Sequence, residues 1–420
     1  MHNKILRKIA AITLSLASLT SLVHATAIED TDGEFLRYKE TRDEVYATLS
    51  EKPNASLVLS DGEIVRIYGG KNGTVSLPEE GNGKTALYLS HSVTTPWGTT
   101  RLELPSSVIA ILSESGNSLD TKGAFYKNAH LKTVIPSKSL EYIGDKAFYG
   151  SSLESIFIPY LAEYLGDSSF AYCKSLSEIS IYGNTVIDDR AFVGCDSLSD
   201  VFLSKRIKRV GLGAFEHTPF YDSLTDEFAI VNGILLKYNG KGGDVVIPEG
   251  VRIIADGCFA GRASVKSVTL PSTLQYIGNS AFRSCARLET VIFPSEYENV
   301  KDIQNLTLGE NSFDLCPRLS NESLETLEKI PVDARRKTIT SENRHLLDLA
   351  PFSITEHIAL VRTSIVPSDG EETDSDEKDT QVPPTPTLTV PKTPSIMPDL
   401  PVVSSPDSIG TLEDVYKNRK

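Results

Sequence analysis

The fold is decided by the stretch Tyr142-Ile143-Gly144-Asp145-Lys146-Ala147-Phe148-Tyr149-Gly150. Related stretches occur at residues 164–173 and 276–285, and an aliphatic residue stands five positions before the Phe of each. Recurrence at a fixed period indicates a repeat architecture, in which every unit adopts the same supersecondary structure.

Three sets of residues keep one register along the middle of the chain. Successive repeat phenylalanines are 22 or 23 residues apart, except for one doubled interval of 44 residues and a last interval of 31 residues. An aliphatic residue precedes most of them by five positions, and Leu or Val follows most of them by six. The repeat phenylalanines are Phe125, Phe148, Phe170, Phe192, Phe215, Phe259, Phe282 and Phe313. This agreement predicts a stack of similar coils.

One unit shows how each coil is expected to fold. Leu153 begins a strand in which Ile156 and Ile158 share the buried face. Pro159 ends that strand because proline has no N–H to donate, and a short helical or 3-10 segment then carries Phe170 inward. A single unit cannot bury its own apolar face, so the units stack. The predicted fold class is α/β: a solenoid with a parallel β-sheet on one face and short helical or 3-10 turns on the other.

The repeat pattern resembles a known family. Leu-x-x-Ile-x-Ile-Pro followed by Ile-Gly-x-x-Ala-Phe-x-x-Cys is similar to the BspA-like class of leucine-rich repeat, which the treponemal leucine-rich repeat protein also typifies, over about residues 100–320. The resemblance implies a curved leucine-rich repeat solenoid, export, and a role in adhesion or protein binding at microbial surfaces. It carries over no catalytic residue, since the class has none in common.

The first residues read as a secretory signal peptide. Lys4, Arg7 and Lys8 precede an apolar run at residues 9–23, and Ala25-Thr26-Ala27 supplies a small-residue cleavage signature. The alternative is an uncleaved membrane anchor, although the run is shorter than a span requires. We therefore expect a secreted, cell-surface or periplasmic bacterial protein without a transmembrane span in the mature chain.

The remaining segments follow from composition and pattern. A short helix and β-like runs precede the repeats, helical spacing follows them, and an acidic Pro-rich stretch ends the chain. Asn232-Gly233 predicts a hairpin within the doubled interval, either as a structural variant of the coil or as a functional protrusion. The predicted segments are a signal peptide (1–27), an N-terminal capping region (28–101), the solenoid (102–320), a C-terminal cap (321–365) and a disordered tail (366–420).

The five cysteines occupy positions set by the repeat and do not form an evident disulfide framework. Four of them stand three residues after a repeat Phe, and Cys258 directly precedes one. We expect buried free thiols; bridges Cys173–Cys195 and Cys285–Cys316 are the alternative.

No motif predicts catalysis, a cofactor or a metal. The stretch at residues 81–85 resembles the end of a phosphate-binding loop, but a strand-like run follows where that loop needs a helix. The stretch at residues 30–33 lacks the ligand spacing of a calcium loop. The net charge of −14 argues against nucleic acid and anionic membranes as partners.

The outward positions of the predicted strands are the candidate binding residues. Stacking places the second outward positions in one column, where exposed aromatics next to acids are typical of a protein-binding surface. The alternative is that these residues only stabilise the sheet surface. We call the following ten residues the candidate face: Ser155, Phe157, Glu178, Ser180, Asp200, Phe202, Ser267, Thr269, Thr290 and Ile292.

The sequence thus predicts an exported, non-enzymatic repeat protein that binds another macromolecule through this face, as an adhesin or an interaction scaffold. The expected partner is a host extracellular protein or an envelope protein. The alternative is a structural component of the cell envelope, with the solenoid as a spacer.

Overall fold

The structure is a computed structural model that describes residues 31–50, 52–114, 122–294 and 305–333. The predicted signal peptide (1–27), most of the predicted C-terminal cap (334–365) and the predicted tail (366–420) lie outside the described residues.

The described residues form three helices and many short strands, which alternate between two ladders along the chain. The helices are α1 (Thr31–Ala47), α2 (Pro219–Asp222) and α3 (Asn321–Leu327). The strands are β1 (Ala55–Ser60), β2 (Glu63–Gly69), β3 (Thr74–Ser76), β4 (Glu80–Gly81), β5 (Lys84–Thr85), β6 (Tyr88–Thr94), β7 (Arg101–Glu103), β8 (Ala110–Ile111), β9 (Thr133–Ile135), β10 (Tyr142–Ile143), β11 (Ser155–Ile158), β12 (Tyr164–Leu165), β13 (Glu178–Ile181), β14 (Val186–Ile187), β15 (Asp200–Leu203), β16 (Arg209–Val210), β17 (Phe228–Val231), β18 (Ile234–Tyr238), β19 (Gly243–Val246), β20 (Ile253–Ile254), β21 (Val265–Thr269), β22 (Tyr276–Ile277), β23 (Thr290–Ile292) and β24 (Thr307–Leu308).

The strands build a parallel solenoid, which confirms the predicted fold class. One ladder is an eight-stranded sheet in the order β1-β2-β6-β8-β10-β12-β14-β16, and the other is a six-stranded sheet in the order β15-β13-β11-β9-β7-β3. Strands of successive coils pair in parallel, as β10 does with β12 and β11 with β13. The antiparallel hairpin β1–β2 closes the first edge of the eight-stranded sheet.

Both ladders stop at the doubled interval and start again after it. A five-stranded sheet, β17-β18-β20-β22-β24, and a three-stranded sheet, β19-β21-β23, continue the solenoid. The predicted hairpin is confirmed: β17 and β18 pair antiparallel around Asn232-Gly233, which have φ values of 47° and 77°. Positive φ at both central positions is what a tight hairpin turn requires, and Gly233 meets it without strain.

The repeat phenylalanines form the predicted spine. Phe148, Phe170 and Phe192 are fully buried, and adjacent rings of this set stack with centroids 5.1 Å apart. The stack is interrupted after Phe215, whose ring meets Phe220 edge-on, and stacked rings resume with Phe259 and Phe282 at 4.6 Å. One ring per coil therefore fills the centre of the solenoid.

The segments around each repeat Phe are hydrogen-bonded turns and not the short helical segments that we expected. The residues two positions before and after Phe148, Lys146 and Gly150, have φ values of 54° and 63°, so helical winding cannot continue through them. Their N–H groups and that of Phe148 all donate to carbonyls of the next coil, at N···O distances of 2.7–2.9 Å. These turns thus form a third ladder between coils.

The five cysteines are free thiols, as expected; Cys173, Cys195 and Cys285 are buried as expected too, whereas Cys258 and Cys316 are only partly buried. Cys173 Sγ donates to the carbonyl of Phe148 at 3.0 Å, and Cys195 Sγ donates to that of Phe170 at 3.1 Å. Burial raises the pKa of Cys173 to about 11. The neutral thiol therefore satisfies a Phe carbonyl of the previous coil, and the alternative bridges do not form in this structure.

The helix predicted after the last repeat is confirmed as α3. The Ser320 side chain caps its first turn by accepting the N–H of Ser323, and Leu327 and Ile330 are buried in the core of the coils that contain Phe259 and Phe282. That α3 belongs to a C-terminal cap stays a prediction.

Candidate functional site

Strand register places the candidate face as predicted within each sheet. Phe157 pairs with Ser180, and Ser180 pairs with Phe202, so these three residues form one row across β11, β13 and β15. In the three-stranded sheet, Thr269 pairs with Ile292 in the same way. The outward positions therefore line up across neighbouring coils.

The prediction of one continuous column is wrong. Phe202 lies on the last strand of the six-stranded sheet, whereas Thr269 belongs to the separate three-stranded sheet. The hairpin β17–β18 and the helix α2 occupy the chain between them, and they interrupt the strand pairing there. The candidate face thus has two parts.

Helix α1 lies across the outer side of the six-stranded sheet. The Tyr38 ring packs on Phe157 at 5.9 Å, on Tyr160 at 5.3 Å and on Tyr182 at 5.3 Å. The Tyr46 hydroxyl donates to the carbonyl of Pro136 at 3.0 Å. Aromatic rings bury large areas and pack edge-on or offset, so this cluster fixes the helix on the sheet.

Polar contacts extend the attachment of α1 over five of the six strands of the sheet. At its first turns, the Glu34 carboxylate accepts the Lys205 N–H at 3.1 Å, and the Arg37 guanidinium lies 4.1 Å from the centre of the Phe202 ring. After its last turn, the Arg101 side chain donates to the carbonyl of Thr48 at 3.1 Å. The helix therefore runs from β15 back to β7.

The position of α1 affects the pKa of a carboxyl group beneath it. Burial and the nearby charge of Asp200 raise the pKa of Glu178, and the attraction of Arg37 offsets part of that rise. Glu178 and Asp200 are neighbours across β13 and β15. The helix thus brings a cation to a pair of carboxylates that would otherwise repel each other in a half-buried site.

The expectation that Phe157 is an exposed aromatic is wrong. Its side chain is only 7% exposed because Tyr38 and Tyr46 of α1 lie against its ring. Phe202 is half-buried under Arg37. We call the six candidate residues of the six-stranded sheet, on which α1 lies, the covered part of the face: Ser155, Phe157, Glu178, Ser180, Asp200 and Phe202.

The three-stranded sheet leaves its outward positions open. Ile292 is 45% exposed, Thr290 is exposed, and Ser267 and Thr269 are half-buried. Val246 on β19 pairs with Thr269 and is 63% exposed. We call these five residues the open part of the face. It presents apolar side chains beside hydroxyl groups on a sheet that is already ordered.

Sequence reasoning missed two contributors to this face. Helix α1 was expected, but not its position on the sheet; the spacing of Tyr38, Thr41 and Val45, which lie on one side of a helix, was the available signal. Val246 was missed because the strand before Pro248 falls in the irregular interval. Its alternation with buried Val245 and Ile247 would have identified it.

Among the described residues, no group of three or more His, Cys, Asp or Glu side chains is placed to hold a metal ion. Nor is any described helix both long enough and apolar enough to cross a bilayer.

The repeat has a family model. The model described as "BspA type Leucine rich repeat region" matches residues 100–221 and 237–343 in six copies, which together exceed half of the chain. No curated protein sequence matches the chain significantly.

Several solved structures are similar to the chain at low identity. The pneumococcal vaccine antigen PcpA is 16% identical over 69% of this chain and 99% of its own, with a TM-score of 0.33. A leucine-rich repeat protein from Bacteroides ovatus is 17% identical over 65% and 81%, with a TM-score of 0.27. The leucine-rich repeat protein of T. pallidum is 19% identical over 67% and 95%, with a TM-score of 0.18. At these values the similarities carry no functional argument.

Proposed function

Since the chain belongs to the BspA-type leucine-rich repeat family, we propose that it is an exported, non-enzymatic protein that binds another protein through the open part of its face. The predicted signal peptide supports export to the surface, the periplasm or the medium. The proposed partner is an envelope protein or a host extracellular protein, and the role is that of an adhesin or an interaction scaffold.

The observation that carries the proposal is the exposure of Val246 and Ile292 on a rigid sheet. Both flank Thr269 in one row of paired strands. Exposed apolar side chains with polar neighbours favour protein association, because their burial removes apolar area from water. Strand pairing already orders the backbone beneath them, so docking loses little conformational entropy.

The covered part does not present exposed apolar side chains to a partner while α1 is in place. Its Phe157 ring is already packed against Tyr38 and Tyr46, and its Phe202 ring lies under Arg37. The proposal therefore assigns partner binding to β19, β21 and β23, and assigns to β11, β13 and β15 the attachment of the protein's own helix.

The test is a substitution in the open part with a matched control. Immobilised protein captures partners from host extracellular and envelope extracts, and the dissociation constant of each captured partner is then measured for the variants. Val246→Lys with Ile292→Lys is expected to weaken binding by roughly 100-fold, since two charges are desolvated at the contact. Leu161→Lys with Leu315→Lys adds the same charge at apolar side chains that are 51% and 59% exposed elsewhere, and it should retain binding. Equal affinities of the two variants, or no capture by the parent, would refute the proposal.

A further inference from the structure

A basic cluster interrupts this acidic chain directly after β15. Lys205-Arg206-Ile207-Lys208-Arg209 contains four cations in five residues, although the net charge of the chain is −14. The expectation that polyanions are not partners rested on the net charge of the whole chain and did not take this cluster into account. Short runs rich in Lys and Arg are typical of sites for polyanions.

The cluster lines a groove where the eight-stranded sheet ends and the five-stranded sheet begins. The groove has a volume of ≈ 460 Å³, and its buried lining residues are Val186, Ile207, Arg209, Ile253 and Tyr276. Asn184, Gln275 and Thr307 contribute amide and hydroxyl groups to the lining. One carboxylate, that of Asp333, faces it among the described residues.

The cations of the groove differ in how far the protein neutralises them. Arg209 is held by Asp256, with Nη2 to Oδ2 at 2.6 Å, and it also lies 3.4 Å from Asp188. Arg252 instead donates to neutral oxygens, the carbonyl of Asn232 at 3.3 Å and Oε1 of Gln275 at 3.5 Å. Arg209 is therefore structural, whereas Arg252 presents positive charge to the groove.

Burial lowers the pKa of Arg252 and so disfavours its charged form, and the opposite charge of Glu34 offsets part of that effect. A second cation of the groove is Arg206. Arg206 is exposed, and its guanidinium lies 4.6 Å from the centre of the Tyr160 ring, which orients it without neutralising it. A preordered guanidinium loses little entropy when it binds an oxyanion.

We propose that this groove binds an anionic oligosaccharide whose sulfate or carboxylate groups contact Arg206 and Arg252. Guanidinium groups match the planar geometry of such oxyanions and bind them with charge-assisted hydrogen bonds. Asn184, Gln275 and Thr307 supply hydrogen-bond partners for sugar hydroxyls. This site is separate from the open part of the face and does not depend on the proposed function.

The lining favours a glycan over a nucleic acid. Sites for single-stranded nucleic acid stack bases on accessible aromatic rings. The aromatic residue among the described lining, Tyr276, is only 8% exposed. A recessed groove also fits a chain of small rings better than it fits the flat surface of a membrane.

The test is titration calorimetry of the full mature protein with two defined probes at about 50 mM and about 200 mM salt. A heparin-derived hexasaccharide carries sulfate groups, and a galacturonate hexasaccharide carries only carboxylates. We expect at least one probe to bind, and to bind more weakly at the higher salt. Arg206→Gln with Arg252→Gln should weaken that binding by at least roughly tenfold. Gln275→Glu, at an exposed position, should weaken it comparably by repulsion and does not depend on losing an arginine.

The control is Lys71→Gln with Lys266→Gln, which removes two exposed cations outside the groove and should leave the affinity unchanged. Failure of both probes to bind the parent would overturn the proposal, as would an equal loss in the control. It would also be overturned if single-stranded DNA of equal charge bound the parent more tightly than either hexasaccharide and lost affinity in the arginine variant.

Discussion

Replacing Phe170 by alanine is expected to lower the free energy of unfolding by about 3–5 kcal/mol. The Phe170 side chain is fully buried, and its ring stacks between Phe148 and Phe192 with both centroid distances at 5.1 Å. Alanine removes the ring and leaves a cavity in the centre of the solenoid, because the neighbouring coils are held by three ladders and cannot collapse into it. Urea-induced unfolding followed by circular dichroism measures the loss.

Tyr172→Ala is the matched control for this prediction. Tyr172 lies in the same turn as Phe170, but its side chain is 45% exposed. We expect a loss below about 1 kcal/mol, since little buried area disappears. If Phe170→Ala unfolded at the same urea concentration as the parent, Phe170 could not be part of the spine, and the repeat register would be wrong.

The second large effect is expected at Arg209, where the two halves of the solenoid meet. Arg209 Nε and Nη2 donate to Oδ2 of Asp256 at 2.9 and 2.6 Å, and the Asp256 side chain is 1% exposed. Burial opposes the charge of Arg209, but the attraction of Asp256 and Asp188 outweighs burial and raises its pKa. Burial in turn raises the pKa of Asp256 to about 6, although Arg209 pulls it down.

Arg209→Met should therefore cost about 3–5 kcal/mol of stability, because it leaves buried carboxylates without a counter-charge. Combining it with Asp256→Asn removes one of these charges while the side-chain oxygen can still accept the Asn279 N–H, so part of the stability should return. Arg190→Met breaks an exposed pair with Asp167 and should cost at most about 1 kcal/mol. Equal losses for Arg209→Met and Arg190→Met, without recovery in the double variant, would contradict a structural role of the buried pair. The measurement is the free energy of unfolding in urea for the parent, the two single variants and the double variant.

The regular part of the fold could be predicted because its signals are local and repeated. Each coil carries its own Phe, its preceding aliphatic residue and its strand. The register of an irregular unit can therefore be assigned from the register of its neighbours. The hairpin at Asn232-Gly233 was predictable for the same reason, since two adjacent residues determine the turn.

The turns around the repeat Phe could not be assigned correctly in the same way. Lys146 and Ser168 adopt positive φ although neither is glycine or asparagine. Their conformation is imposed by the N–H groups that bond to the next coil, which is a contact between units and leaves no pattern within one.

The candidate site was only partly predictable because it depends on contacts distant in sequence. The outward positions follow from strand alternation, but the cover over Phe157 comes from Tyr38, which is more than a hundred residues away in the chain. The break between Phe202 and Thr269 was visible as a doubled interval, yet its effect on strand pairing was not. The basic groove was missed because its cations come from two coils, Arg206 in one and Arg252 in another.

The division of the face into a covered and an open part is tested most directly by cysteine labelling. Ser180→Cys and Thr269→Cys occupy equivalent outward positions of the two sheets, and peptide mapping by mass spectrometry separates them from the five native cysteines. Helix α1 should make alkylation of Ser180→Cys slower than that of Thr269→Cys by roughly tenfold or more, and adding Tyr38→Ala should remove most of that difference. Equal labelling rates with α1 intact would contradict the covered face and, with it, the assignment of partner binding to the open part.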